Sequence, residues 1–190
     1  MIDNNLKNKP YFTAKDAEEL GLSKRMLHYY FKKGELKRLA RGVYRHESYL
    51  PSDQHFQWED LAVAAQNIKD GVICLISALS YYDLTDAMMR EFWIATSQPN
   101  SKAKFPMTKI VRMRNLTLGV DEIEIAGAKV KIFDPERTIV DSFRLLDRET
   151  AIKALRAYLQ KQKKPNINKL TKYAKELGVD IEKYLLSFLT

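Results

Sequence analysis

Lys24, Arg25 and His28 lie close together in the run Ser23-Lys24-Arg25-Met26-Leu27-His28-Tyr29-Tyr30-Phe31-Lys32-Lys33. In a helix they form a set of hydrogen-bond donors on one face. Donors so arranged suit the base edges of a DNA major groove, where guanine offers two acceptors to one arginine. Arg25 is the candidate for that bidentate contact, with Lys24, His28 and Tyr29 on the same outward side. Ser23, Lys32 and Lys33 are better placed for phosphates, which position a protein without reading sequence. A second basic group follows in Arg38, Arg41 and Arg45. It suits phosphates or, at Arg41-Gly42, a narrow minor groove.

These side chains need elements to hold them. Thr13-Ala14-Lys15-Asp16 has the spacing of a capping box and opens a short helix through Leu20. Gly21 ends that helix, since glycine takes the left-handed conformation without a Cβ penalty, and Ser23 caps the next. The second helix, Lys24 to Lys33, sets Leu27, Tyr30 and Phe31 on one face and the donors on the other. Beyond Gly34, Leu36–Ala40 and Val43–Arg45 read as two short strands joined around Arg41-Gly42, a basic wing. Helix, turn, helix and hairpin make a winged helix-turn-helix over residues 1–50, where 11 basic side chains face 6 acidic ones. A solvated interaction module would explain one basic face. It does not require helix face, turn and hairpin tip all to be basic.

Residues 51–190 read as a larger domain beginning near Leu50-Pro51-Ser52. Two helical stretches between Phe56 and Asp83 break at Asp70-Gly71. Glu91–Thr96, Lys109–Asn115, Glu122–Ala126 and Lys129–Phe133 then read as a meandering sheet. Asp134-Pro135-Glu136 opens a helix to about Leu146, with further helices near 150–162, 168–177 and 180–188. The fold class is α+β: an N-terminal winged helix-turn-helix, then helices around a small β-sheet with a helical C-terminus. Residues 51–150 hold 12 basic and 15 acidic side chains, and 151–190 hold 9 and 3. The chain is therefore basic at both ends. Ile152, Leu155 and Leu159 give one terminal helix an apolar side, with Lys153, Arg156, Gln160 and Lys163-Lys164 opposite. That basic side could meet DNA, RNA or an acidic partner, or simply be solvated.

The composition excludes several chemistries. His28, His46 and His55 have no i,i+4 pairing, and with one cysteine they offer no zinc pattern, so no metal and no cofactor is expected. Cys74 reads as a buried structural thiol, in keeping with a reducing cytoplasm. Ser77 and Ser80 lack a nucleophile elbow and read as packing residues. A nuclease fused to a winged helix is the enzymatic alternative, but no acidic residue stands two before a lysine on one strand. The expectation is that the protein is not an enzyme. No apolar run approaches a membrane span, so no membrane partner is expected.

Phe12-Thr13 with Asp16, Leu20-Gly21-Leu22-Ser23, Gly34-Glu35-Leu36 and Leu39-Ala40-Arg41-Gly42-Val43-Tyr44 resemble the winged helix of the AbiEi antitoxins of abortive-infection toxin–antitoxin systems. Ser77-Ala78-Leu79 with Leu84-Thr85, and Arg137-Thr138-Ile139-Val140-Asp141, are similar to motifs of that family's larger domain. The resemblance implies a cytoplasmic repressor that binds double-stranded operator DNA of its own operon. It also implies an antitoxin acting against a nucleotidyltransferase-like toxin without forming a stable complex. A regulator with no toxin partner is the alternative. Arg137 and Asp141, at i and i+4, read as a structural pair tying their helix to the preceding sheet rather than as catalytic groups. One departure stands out: only about ten polar residues precede Phe12, so the first helix of the usual three is short or absent. Leu6 and a neighbouring segment such as Phe56-Trp58 would then have to cover Leu20 and Leu27.

Overall fold

The computed structural model describes residues 2–50, 56–98, 105–125, 128–161 and 164–189. His55, the boundary residues Pro51-Ser52, and Lys163 lie outside the described residues, as does the side chain of Phe56.

The N-terminal module contains α1 (Asn4–Lys7), β1 (Phe12–Thr13), α2 (Ala14–Glu19), α3 (Lys24–Lys32), β2 (Leu36–Ala40) and β3 (Val43–His46). The first helix, expected to be short or absent, is present as a single turn capped by Asp3, and Leu6 on it is fully buried. Leu6 joins Ile2, Phe12, Ala17, Leu22, Leu27 and Leu36 in a small core. Leu27 is thus covered by Leu6, whereas Leu20 stays 43% exposed and needs no cover. Trp58 packs elsewhere, edge-on to Tyr81 in the larger core. Phe12-Thr13, too short to show a strand's period, adds a third strand by pairing antiparallel to β3, giving the order β1-β3-β2.

The rest comprises α4 (Phe56–Gln66), β4 (Val72–Ile73), α5 (Leu75–Tyr81), β5 (Phe92–Thr96), β6 (Thr108–Arg112), β7 (Val120–Ile125), β8 (Ala128–Phe133), α6 (Pro135–Leu145), α7 (Arg148–Lys161), α8 (Ile167–Leu177) and α9 (Glu182–Leu189). The sheet corrects the expected meander. Its order is β6-β5-β4-β8-β7, with β4 parallel to β8 and β5 parallel to β6. The cause is β4, two fully buried residues within an apolar run. Buried on both sides, they carry no alternation to distinguish them from the helix that follows.

One face of the sheet packs Ile73, Phe92, Ile94, Val130 and Ile132 against Leu61–Ala65 of α4. Ala40 and Val43 of the wing enter this same cluster, with Tyr11 and Leu39 packed against it. The wing hairpin therefore has its back in the larger core. A separate cluster joins α5 through Leu79 to α6, α7, α8 and the Leu185 end of the chain. Cys74 is buried, and burial pushes its thiol well above the ordinary range. Ser77 is a packing residue too: its hydroxyl accepts the Trp93 N–H at 2.9 Å.

Candidate nucleic-acid interface

The local hydrogen bonds that aim α3 are those its sequence demands. Asp16 accepts from the Thr13 amide at 2.8 Å while Thr13 Oγ1 accepts from the Asp16 amide at 3.2 Å, closing the capping box of α2. Gly21 then turns the chain at φ +81°. Ser23 Oγ accepts from the Met26 amide at 3.3 Å and starts α3. Leu27 alone is buried in this helix, seated in the small core.

The outward side of α3 is correspondingly open. Lys24, Arg25, His28, Tyr29 and Lys32 are all exposed, as are Ser23 before the helix and Lys33 at its end. Tyr29 is 58% exposed and lies edge-on to Tyr30. Phe31, expected on the apolar side with Leu27 and Tyr30, is instead 39% exposed at the flank of that side. Lys24 meets Glu18 at 3.5 Å and Lys33 meets Glu35 at 2.5 Å, both across solvent. The Glu35 carboxylate holds the Lys33 ammonium above its usual range. Screened pairs of this kind exchange readily for a phosphate. Arg25, His28 and Lys32 have no ion-pair partner among the described residues.

The wing divides its three arginines. Arg41 is exposed at the tip beside Gly42, whose φ of +79° makes the tight reversal possible. Arg38 is exposed on β2, its Nε donating to the Ala40 carbonyl at 3.3 Å. Arg45, expected among the phosphate contacts, is instead buried, with only 7% of its surface exposed. It donates through Nε to the Pro10 carbonyl and through Nη2 to Asp60 Oδ1 at 3.0 Å, with Glu59 Oε2 at 3.9 Å. Tyr49 OH donates to Glu59 at 2.9 Å, and its ring lies 5.5 Å from the Arg45 guanidinium. Burial, then the bond to Glu59, pushes the Tyr49 hydroxyl up to about 12. A further tie runs from Tyr11 OH to Gln66, whose amide donates to the Lys129 carbonyl at 3.0 Å. Arg45 is thus a strut between the wing and α4. No local signal marks it, because its carboxylates come from 14 and 15 residues further along the chain. Lys37, which its spacing does not single out, is exposed on β2 beside Arg38.

The other compact motif behaves as its spacing predicts, with an added role. Arg137 Nε donates to Asp141 Oδ2 at 2.7 Å, and its two Nη groups donate to the Leu118 and Asn115 carbonyls at 2.9 and 3.1 Å. Its guanidinium lies 4.5 Å over the Phe133 ring at the end of β8. Beside it, Lys169 joins Asp134 and Glu136, each at 3.1 Å, while Tyr173 and Tyr158 donate to the same two carboxylates. Burial works against the Lys169 charge, but its hydrogen bonds to Asp134 and Glu136 hold the ammonium above its usual range. This network fastens α8 and the loop before β7 to α6. On the sheet, the acidic side chains that a nuclease would use stand across from lysines, Glu122 opposite Lys131 and Glu124 opposite Lys129.

Among the described residues no helix is long and apolar enough to cross a membrane. No curated protein matches the chain. Residues 1–45 match the family model described as transcriptional regulator, AbiEi antitoxin, and the exposed basic residues of α3 and of the wing tip lie within that matched segment.

Proposed function

We propose that the protein is a cytoplasmic, non-enzymatic transcriptional repressor of its own operon that also acts as antitoxin against a nucleotidyltransferase-like toxin. The observation that carries the DNA-binding half is the construction of α3: one buried anchor, Leu27, behind a row of exposed donors. Arg25 reads a base edge, flanked by Lys24 and His28, with Tyr29 contacting the groove wall. Ser23, Lys32, Lys33, Arg38 and Arg41 hold phosphates, and Lys37 is added to that set on its exposure. The match of residues 1–45 to a regulator and antitoxin family supports the remainder. In this reading residues 1–50 read the operator and residues 51–190 carry the antitoxin activity, exerted on the toxin without a stable complex.

The test uses the full chain, because Ala40 and Val43 pack into the larger core and a truncation would expose them. Lys24→Ala, Arg25→Ala and His28→Ala together change only an exposed helix face, so the fold survives. The triple variant should lose operator binding and derepress its promoter, yet protect toxin-expressing cells when supplied from an unrelated promoter at wild-type protein levels. Retained operator binding removes α3 as the reading helix. Death of the cells shows that neutralisation runs through the DNA-reading face and ends the two-function reading.

A further inference from the structure

The C-terminal helices carry a cleft that the DNA-reading head does not use. It lies between α7 and the turn at Leu84–Ala87, with a volume of about 530 Å³, lined by Thr85, Lys153, Arg156, Gln160 and Lys161 among others. Asp86 is the one carboxylate in its lining. Lys153 and Lys161 are held from exposed positions by Glu149 at 2.5 Å and Asp83 at 2.7 Å, pairs open to solvent that an incoming phosphate can displace. Arg156 has no carboxylate partner among the described residues. Its guanidinium lies over the Phe188 ring at 5.2 Å instead, and the side chain is exposed. Residues 151–190, which supply half of the lining and all of its basic side chains, hold 9 basic and 3 acidic side chains.

We infer that this cleft binds a single-stranded segment of RNA. Lys153 and Lys161 take backbone phosphates, and a base stacks on the outer face of Arg156, extending the Phe188–Arg156 stack by one layer. Gln160 supplies an amide that can both donate to and accept from a ribose 2′-hydroxyl. A concave site of this size admits a nucleotide or two but not the body of a duplex. A protein carboxylate is taken best by the forked edge of an arginine, whereas Arg156 already lies over an aromatic ring, an arrangement that a base would extend. The inference does not depend on which promoter or toxin the protein serves.

The experiment measures fluorescence anisotropy of a fluorescein-labelled 12-nucleotide RNA of mixed sequence with the full-length protein at fixed salt. The same strand as DNA, a DNA duplex and a labelled polyglutamate peptide run in parallel. The wild type should bind the RNA more tightly than the DNA strand. Arg156→Glu with Lys153→Glu should lower RNA affinity roughly tenfold or more, and Arg156→Lys, which keeps the charge without the plane, by a smaller factor. Duplex affinity should be unchanged in these variants, while Arg38→Ala with Arg41→Ala should lower duplex affinity and spare the RNA. Thermal melts establish that the variants are folded, as expected for exposed positions. RNA affinity unchanged by the α7 variants overturns the proposal, as does RNA affinity lost through the wing variant. Equal binding of polyglutamate shows a general anion surface and overturns it too. So does selective loss of duplex binding in the α7 variants, which assigns the cleft to flanking DNA.

Discussion

Helices α3 and α6 resemble each other on paper, each mixing arginine, other polar residues and apolar side chains over about three turns. Their surroundings are opposite. In α3 only Leu27 is buried, while in α6 every residue from Glu136 to Phe143 is. Charge composition already hints at the split, because α3 has no carboxylate of its own and α6 supplies Asp141 to Arg137 four residues away. A cation with no partner on its own element is available for an external anion unless another element brings a carboxylate to it. One with a built-in partner is shielded and can be buried, provided every donor finds an acceptor. The wing shows both outcomes within one hairpin, Arg41 free at the tip and Arg45 paired in the interior.

Replacing Arg137 should test the buried side of this comparison most severely. Arg137→Ala removes one of the two arginines on Asp141 and leaves the Leu118 and Asn115 carbonyls without their donors. We expect a loss of about 5 kcal/mol, at the upper end for a broken buried pair, read from urea unfolding. A loss below about 1 kcal/mol would mean that Arg144, at 2.6 Å from the other Asp141 oxygen, suffices by itself.

Arg45→Ala is the next largest. It leaves Glu59 and Asp60 without their cation and should cost about 3 kcal/mol of stability. Because Arg45 touches no phosphate, the slope of operator affinity against salt should stay at the wild-type value, even where affinity itself falls through a displaced wing. A slope reduced by about one unit would place Arg45 on the DNA and contradict its burial.

The smallest effect on stability belongs to Arg25→Ala, at no more than about 0.5 kcal/mol, since the side chain is exposed and touches no carboxylate among the described residues. Its effect on binding should be the reverse: about 1–3 kcal/mol on the operator, less on random duplex, with preference relaxed at one base position. Equal losses on both DNAs would move Arg25 from a base to a phosphate. A large loss of stability would place it with Arg137 and erase the contrast between the two helices.

Much of the N-terminal module was legible in the sequence. The capping box at Thr13, the stop at Gly21, the cap at Ser23 and the reversal at Arg41-Gly42 are settled by hydrogen bonds and backbone freedom within four residues. The Arg137–Asp141 pair and the cap at Asp134 with Pro135 obey the same short-range rules. Sequence spacing therefore determined which way α3 faces and which donors it presents. The tertiary structure decided what lies beyond one turn of helix or one hairpin. β1 and β4, two residues each, become strands only because β3, β5 and β8 pass beside them. Arg45 belongs to a strand whose neighbours suggest a basic wing, and its fate was fixed by α4, which brings Glu59 and Asp60 against the back of the hairpin. An arginine at a phosphate and an arginine in a strut look the same along the chain, because the difference is the dielectric around the charge and the distant carboxylate that meets it.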